Sequence, residues 1–185
     1  MRFIILTVLL MTALQAKLLV TPFDAIYAVY GKEVKIEKKN VLLTIDKAEA
    51  VYKKAEMPTG SKIFRTFTIT KDAKPLAYAI LISRVVRTKD AAVLYMISPK
   101  GVIESVEVIA FNEPPEFTPS KEYVEQFKGK TSEDTLRVGK DIPTVTGATM
   151  GARNVTDGAM STFSMSICSS GTSPIHVSYS TSTVS

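Results

Sequence analysis

"LAYAILISRVVRTKDAAVLYMISPKGVIESVEVIAF" runs from Leu76 to Phe111. It contains three apolar runs, Leu76–Arg87, Ala91–Ile97 and Val102–Phe111, rich in β-branched and aromatic residues. Such runs read as strands. Their connections decide how the strands pair. Only the polar Thr88-Lys89-Asp90 and then Ser98-Pro99-Lys100-Gly101 separate them. A parallel crossover needs about a dozen residues, so linkers this short predict antiparallel hairpins. Ser98–Gly101 suits a type I turn, with proline second and glycine fourth. In the third run Glu104 and Glu107 interrupt the apolar pattern.

Upstream, "KIFRTFTIT" (Lys62–Thr70) predicts another strand, and Lys71–Pro75 a turn into the next. "TIDKAEAVYKKA" (Thr44–Ala55) places Ile45, Ala48, Val51, Tyr52 and Ala55 at helical spacing, and Pro58 and Gly60 stop it. The charged, alternating stretch Tyr30–Asn40 reads as a linker or an edge strand. Downstream, Asn112–Phe117 ("NEPPEF") is a loop. Thr118 is the expected cap of a helix over "SKEYVEQF", with Pro119 at its first position and Lys128–Gly129 at its end. Thr131 and Asp134 have capping-box-like spacing and predict a second capped turn. After Thr149, the positions Ala152, Val155, Ala159 and Phe163 share one helix face. The fold class predicted is α+β, an antiparallel sheet packed with a few helices.

The two ends differ from this middle. Arg2 followed by the apolar run Phe3–Ala16 has the layout of a secretory signal. The run is short for a full membrane span. It is read as a cleaved signal or as a retained anchor with Lys17 near the interface; a buried N-terminal helix is the competing reading. The expected location is extracytoplasmic, in the periplasm or on the outer face of the cell membrane. From Ser164 onward there is no Asp, Glu, Lys or Arg, and Ser and Thr dominate. This reads as a disordered tail. The expected divisions are therefore 1–28 signal or anchor, 29–163 folded domain and 164–185 tail.

Composition narrows the chemistry. A chain of 185 residues suffices for one domain with its own core. The net charge of +5 comes from lysines scattered along the chain, which gives nucleic-acid binding no support. The single cysteine, Cys168, allows no intrachain disulfide and no thiolate metal site. The single histidine, His176, lies in the tail, so Cys–His dyads and Ser–His–Asp triads have no basis. Any chemistry then belongs to a bound cofactor.

"VTGATMGAR" (Val145–Arg153) is the stretch suited to one. Gly147 and Ala148 let backbone approach a bulky group. A helix starting near Thr149 offers unbonded N–H groups and a positive dipole end to a phosphate, with Arg153, Lys140 and Arg137 close in sequence. On the four letters "TGAT" alone an ordinary capped helix is the favoured reading, because such short matches occur often by chance.

The order of parts around it is more specific: the "PKG" turn between strands, the Glu-Pro loop, "QFKGK", "LRVGKDI", then "TGAT". This arrangement resembles the FMN-binding domain family, the flavin-carrying domains of Rnf-type and sodium-pumping quinone reductase complexes. The resemblance covers roughly Val93–Met160. It implies FMN joined by a phosphoester to the last threonine of the motif, here Thr149, with Thr146, Gly147 and Ala148 completing the motif. It implies a Mg²⁺-dependent flavin transferase, using FAD as donor, as maturation partner. A membrane redox complex, quinone or iron–sulfur protein would be the electron-transfer partner. It also brings Glu113 of the Glu-Pro loop toward the flavin ring; a solvated loop acid is the equal alternative. The sequence departs from the family at Pro143, where a second acid is common, at Gly151 and Ala152, where Ser or Thr is common, and in its Ser-rich tail. Tyr78, Tyr95 and Phe111 read as core before they read as flavin contacts. The expectation is an exported electron carrier or subunit. The rival is an exported module without flavin that binds a ligand or protein, and a purely structural accessory of a membrane complex is a third reading.

Overall fold

Five strands form one antiparallel sheet in chain order. They are β1 (Lys35–Leu42), β2 (Ile63–Lys71), β3 (Lys74–Val85), β4 (Asp90–Ile97) and β5 (Ile103–Phe111). The structure is a computed structural model. It describes residues 20–54, 62–134, 136, 138–143 and 149–168, with backbone alone for 47, 50–52, 54, 149 and 166–168.

The hairpins predicted from the short connections are present, and the class is α+β. Tyr78 pairs with Ile97 across β3–β4, and Tyr95 with Val106 across β4–β5. Of the two readings of Tyr30–Asn40, the edge strand holds from Lys35 onward, since among the described strands β1 pairs only with β2. The β2–β3 turn puts Asp72 and Ala73 at φ 50° and 60°. Both residues are left-handed, as a two-residue hairpin turn requires. No glycine relieves it, and Ala73 holds that conformation at a cost of roughly 1–2 kcal/mol.

Side chains on alternate strand positions point to opposite faces. One face carries Phe64, Tyr78, Ile80, Ile82, Val93, Tyr95 and Ile97. Three helices contribute to the core on this face: α2 (Ile45–Lys54), α3 (Lys121–Glu125) and α4 (Thr149–Cys168). The stripe Ala152, Val155, Ala159 and Phe163 is buried as its spacing predicts. Tyr78, Tyr95 and Phe111 are buried in the core.

The opposite face carries Phe67, Ile69, Ala77, Ala79, Leu81, Leu94 and Met96. Helix α1 (Pro22–Tyr30) lies on it through Ala25 and Ile26. Thr21 caps α1 by accepting from the Asp24 amide at 3.1 Å, and the Tyr30 hydroxyl donates to Glu104 on β5. Glu104, which broke the apolar pattern, thus ties α1 down. Burial, and after it the Glu104 carboxylate, pushes the Tyr30 hydroxyl far above its ordinary range.

Three boundaries differ from the sequence reading. Folded structure begins inside the expected 1–28 leader, because Ala25 and Ile26 fill the second face of the sheet. At the other end α4 runs on to Cys168, with Ser164 and Met165 buried, so the start of the expected tail is helix. The α3 cap is Ser120, not Thr118. Its hydroxyl accepts from the Tyr123 amide at 3.2 Å, and the helix is only Lys121–Glu125. Pro119 stands outside the helix and is buried against α4. Among the described residues no helix is long and apolar enough to cross a membrane.

Candidate functional site

Helix α4 begins at Thr149. No acidic residue occupies its first turn, so its positive end is not internally neutralised. Three contacts fix its first half. Gly151 packs so closely on the Phe117 carbonyl that a Cβ there would sit 2.3 Å from the oxygen and 3.0 Å from Pro119 Cδ. The Tyr123 hydroxyl lies 3.2 Å from the Ala152 carbonyl and 3.1 Å from Thr156 Oγ1. One turn on, the Tyr95 hydroxyl donates to the Val155 carbonyl at 2.7 Å. Both phenols are buried, which raises them above their ordinary range. They stay protonated and serve as hydrogen-bonding posts.

The approach to the motif is held from the other side as well. Val138 and Ile142 form a bridge, the Gly139 amide donates to the Ile142 carbonyl at 2.7 Å, and Ile142 is buried in the same core as Ala152. The chain thus enters and leaves the 144–148 stretch from one core. That stretch, with Thr146, Gly147 and Ala148, lies outside the described residues. Thr149 is described by its backbone at the helix start. Of the three cations near the motif in sequence, Arg153 and Lys140 are exposed and Arg137 lies outside the described residues.

The Glu-Pro loop does meet the start of α4, through Phe117 and Pro119 against Gly151. Glu113, however, is turned into the β3–β4 turn. Its Oε1 accepts the Arg87, Thr88 and Lys89 amides at 3.2, 2.6 and 2.9 Å, and the Thr88 hydroxyl at 3.3 Å. The Arg87 guanidinium lies 5.0 Å from the centre of the Phe117 ring and adds a second clasp between turn and loop. The backbone amides of Thr88 and Lys89, chiefly, hold the Glu113 carboxyl below its ordinary value of 4.5. Its role in the structure is to join the loop to the turn.

That role has a pH signature. A carboxylate with a depressed folded value stabilises the protein above its unfolded value, and the contribution is lost as pH falls through the folded one. The stability difference between wild type and Glu113→Gln should therefore be full at neutral pH and shrink as pH drops below 4.5. Thermal melts of the two proteins across that range check it, and a difference independent of pH would rule out a charge-assisted clasp.

Sequence reading missed a half-buried ion pair on the outer side of this site. Arg84 on β3 lies 3.3 Å from Asp157 on α4. Burial raises the Asp157 carboxyl, with Arg84 and Arg153 opposing, so desolvation outweighs the attraction. No local pattern reveals such a pair; the helix must first be laid on the sheet. Among the described residues no group of three or more His, Cys, Asp or Glu could hold a metal ion. Comparisons with family models, with curated proteins and with solved structures found no match to this chain.

Proposed function

We propose that the protein is an exported, membrane-tethered flavoprotein domain with the finer fold of the FMN-binding domains. FMN is esterified to Thr149, and the domain relays electrons to or from a membrane redox complex, a quinone or an iron–sulfur protein. The observation that carries this reading is a meeting of parts. The Glu-Pro loop and the "TGAT" stretch supply two pieces of the family resemblance, and the loop packs against Gly151, two residues beyond Thr149.

The residues present fit the group. The first turn of α4 has no acid to repel a phosphate, and Arg153 is exposed one turn along. Met150 is 43% exposed beside the attachment residue and offers apolar surface to a flat ring. When bound, the flavin supplies the redox chemistry. The chain's contribution is positional. Tyr95 and Tyr123 fix the helix through the Val155 and Ala152 carbonyls, and Ile142 and Ala152 anchor both ends of the loop. Thr146, Gly147 and Ala148 complete the proposed cofactor loop. Glu113 supports the site at one remove, by clasping the Glu-Pro loop to the β3–β4 turn.

Attachment transfers FMN from FAD to the Thr149 hydroxyl. A new phosphoester forms, the bond to the AMP half breaks, and AMP leaves with the proton. Intact mass tests it. Wild-type protein exported together with a flavin transferase should gain the mass of esterified FMN and fluoresce on a denaturing gel. Thr149→Val should do neither. An unmodified wild type beside a labelled member of the family would leave the exported ligand- or protein-binding module as the better account.

A further inference from the structure

The sheet face that carries α1 is only partly covered. Beyond the helix it exposes Leu42 (66%), Ile63 (64%) and Val85 (60%). All three share that face. Ile63 follows the alternation of Phe67 and Ile69, Leu42 pairs directly with Ile63, and Val85 follows Ala79 and Leu81. Phe23 of α1 (39% exposed) extends the strip by its edge-on contact with Phe67. Lys38 and Arg65 are exposed on the same face, because Lys38 pairs with Phe67 and Arg65 lies between Ile63 and Phe67. The exposed part of β1 and β2 on this face therefore combines large apolar side chains with Lys38 and Arg65, and the acid at the margin of the strip is Asp90, the exposed cross-strand partner of Val85.

The chain joins the fold at this face. Val20 packs on the cluster beneath α1, and its amide reaches the Ile109 carbonyl on β5. Val20 is only four residues beyond Ala16, the end of the apolar run Phe3–Ala16. Four extended residues span at most about 14 Å. Strands are spaced about 4.8 Å apart, so the strip on β2 and β1 lies roughly 14–19 Å across the sheet from the same point. A run inserted in a bilayer would hold this face within reach of the surface and leave little room for the domain to stand clear.

We propose that this strip, Leu42, Ile63, Val85 and Phe23 with Lys38 and Arg65, rests on an anionic bilayer surface. The inference rests on the reading of residues 3–16 as a retained anchor. The apolar side chains enter the headgroup boundary, and the two cations meet lipid phosphates. The β3–β4 turn follows Val85 directly and is clasped to the loop that packs on α4. Docking therefore leaves the start of α4 at the Val85 end of the sheet, on the face turned away from the membrane.

The test uses the full chain with Cys168→Ser, reconstituted in phosphatidylcholine vesicles containing a minority of phosphatidylglycerol. Single cysteines replace Leu42, Ile63 or, on the other side of the molecule, Lys128. Each carries an environment-sensitive dye, and spin-labelled lipid is the quencher. Quenching of roughly twofold or more at 42 and 63, with little at 128, is expected for side chains at the headgroup boundary. The double variant Lys38→Glu, Arg65→Glu should weaken it. Vesicle-bound protein with 42 and 63 as unquenched as 128 overturns the proposal, as does failure of the full chain to associate with vesicles. Protection of 42 and 63 without lipid, together with a dimer by light scattering, would assign the strip to a second copy instead. Flavin fluorescence on the same samples reports the Thr149 reading separately, so the two ideas can fail independently.

Discussion

Gly158→Ala is expected to destabilise the fold by about 3 kcal/mol, although alanine is the better helix former. A Cβ at 158 would sit 2.2 Å from the Tyr95 hydroxyl and 2.7 Å from the ring carbon that bears it. The ring has nowhere to go. Tyr95 is fully buried, and its hydroxyl is committed to the Val155 carbonyl at 2.7 Å. Overpacking a tight core costs roughly 1–3 kcal/mol. Displacing the phenol leaves a buried polar group short of its partner, for a further 1–3 kcal/mol or so. The helical gain from alanine returns only about 1 kcal/mol. For a chain of this size the melting temperature should fall by roughly 10 °C. Tyr95→Phe removes the clashing oxygen, so the double variant should be more stable than the two single losses predict by addition. Strict additivity in that cycle would mean that the helix moves rather than the ring.

The contrast between Gly158 and the sheet shows which features a sequence can display. Strands β2 to β5 are legible because alternation and short polar breaks are local, and connections of a few residues are too short for a parallel crossover and leave the hairpin as the connection. The buried stripe of α4 is legible for the same reason. Gly151 and Gly158 are seven residues apart and share a face, so the spacing alone hints at close approach. What they approach is not local. The Phe117 carbonyl and the Tyr95 hydroxyl come from distant elements, and only the assembled fold supplies them.

Thr118 and Ser120 illustrate a different limit. Either hydroxyl can cap a helix, and the rule placing proline in the first turn favours Thr118. The choice falls to Ser120 because Pro119 is taken up in packing against Gly151, which fixes the chain one residue short of the helix. Glu113 is similar. Its loop position is legible, but the capture of its carboxylate by three amides of a turn some 25 residues away is set by tertiary placement. The strip of Leu42 and Ile63 falls between these cases. Both residues look like ordinary strand positions, and only the limited reach of α1 leaves them exposed.

Gly151→Ala is the substitution that separates the scaffold from the site. Its Cβ would meet the Phe117 carbonyl oxygen at 2.3 Å and the Pro119 ring at 3.0 and 3.1 Å. The first of these is backbone and the second a closed ring, so no side-chain rotation relieves them. Restoring van der Waals contact requires the start of α4 and the Glu-Pro loop to part by about 1 Å, at a cost of roughly 1–3 kcal/mol. Stability alone cannot distinguish this from Gly158→Ala; flavin incorporation can. In Gly151→Ala the parted contact lies two residues from Thr149, whereas Gly158 is about two and a half turns from Thr149 along the helix. Incorporation by a flavin transferase should therefore fall sharply in Gly151→Ala and stay near wild type in Gly158→Ala, with both assayed at a temperature where each is folded. Two variants of similar stability and opposite loading would show that the packing of the loop on the helix start prepares Thr149 for modification. Equal loading in both would reduce that packing to a structural joint and put the recognition of Thr149 in the 144–148 stretch itself.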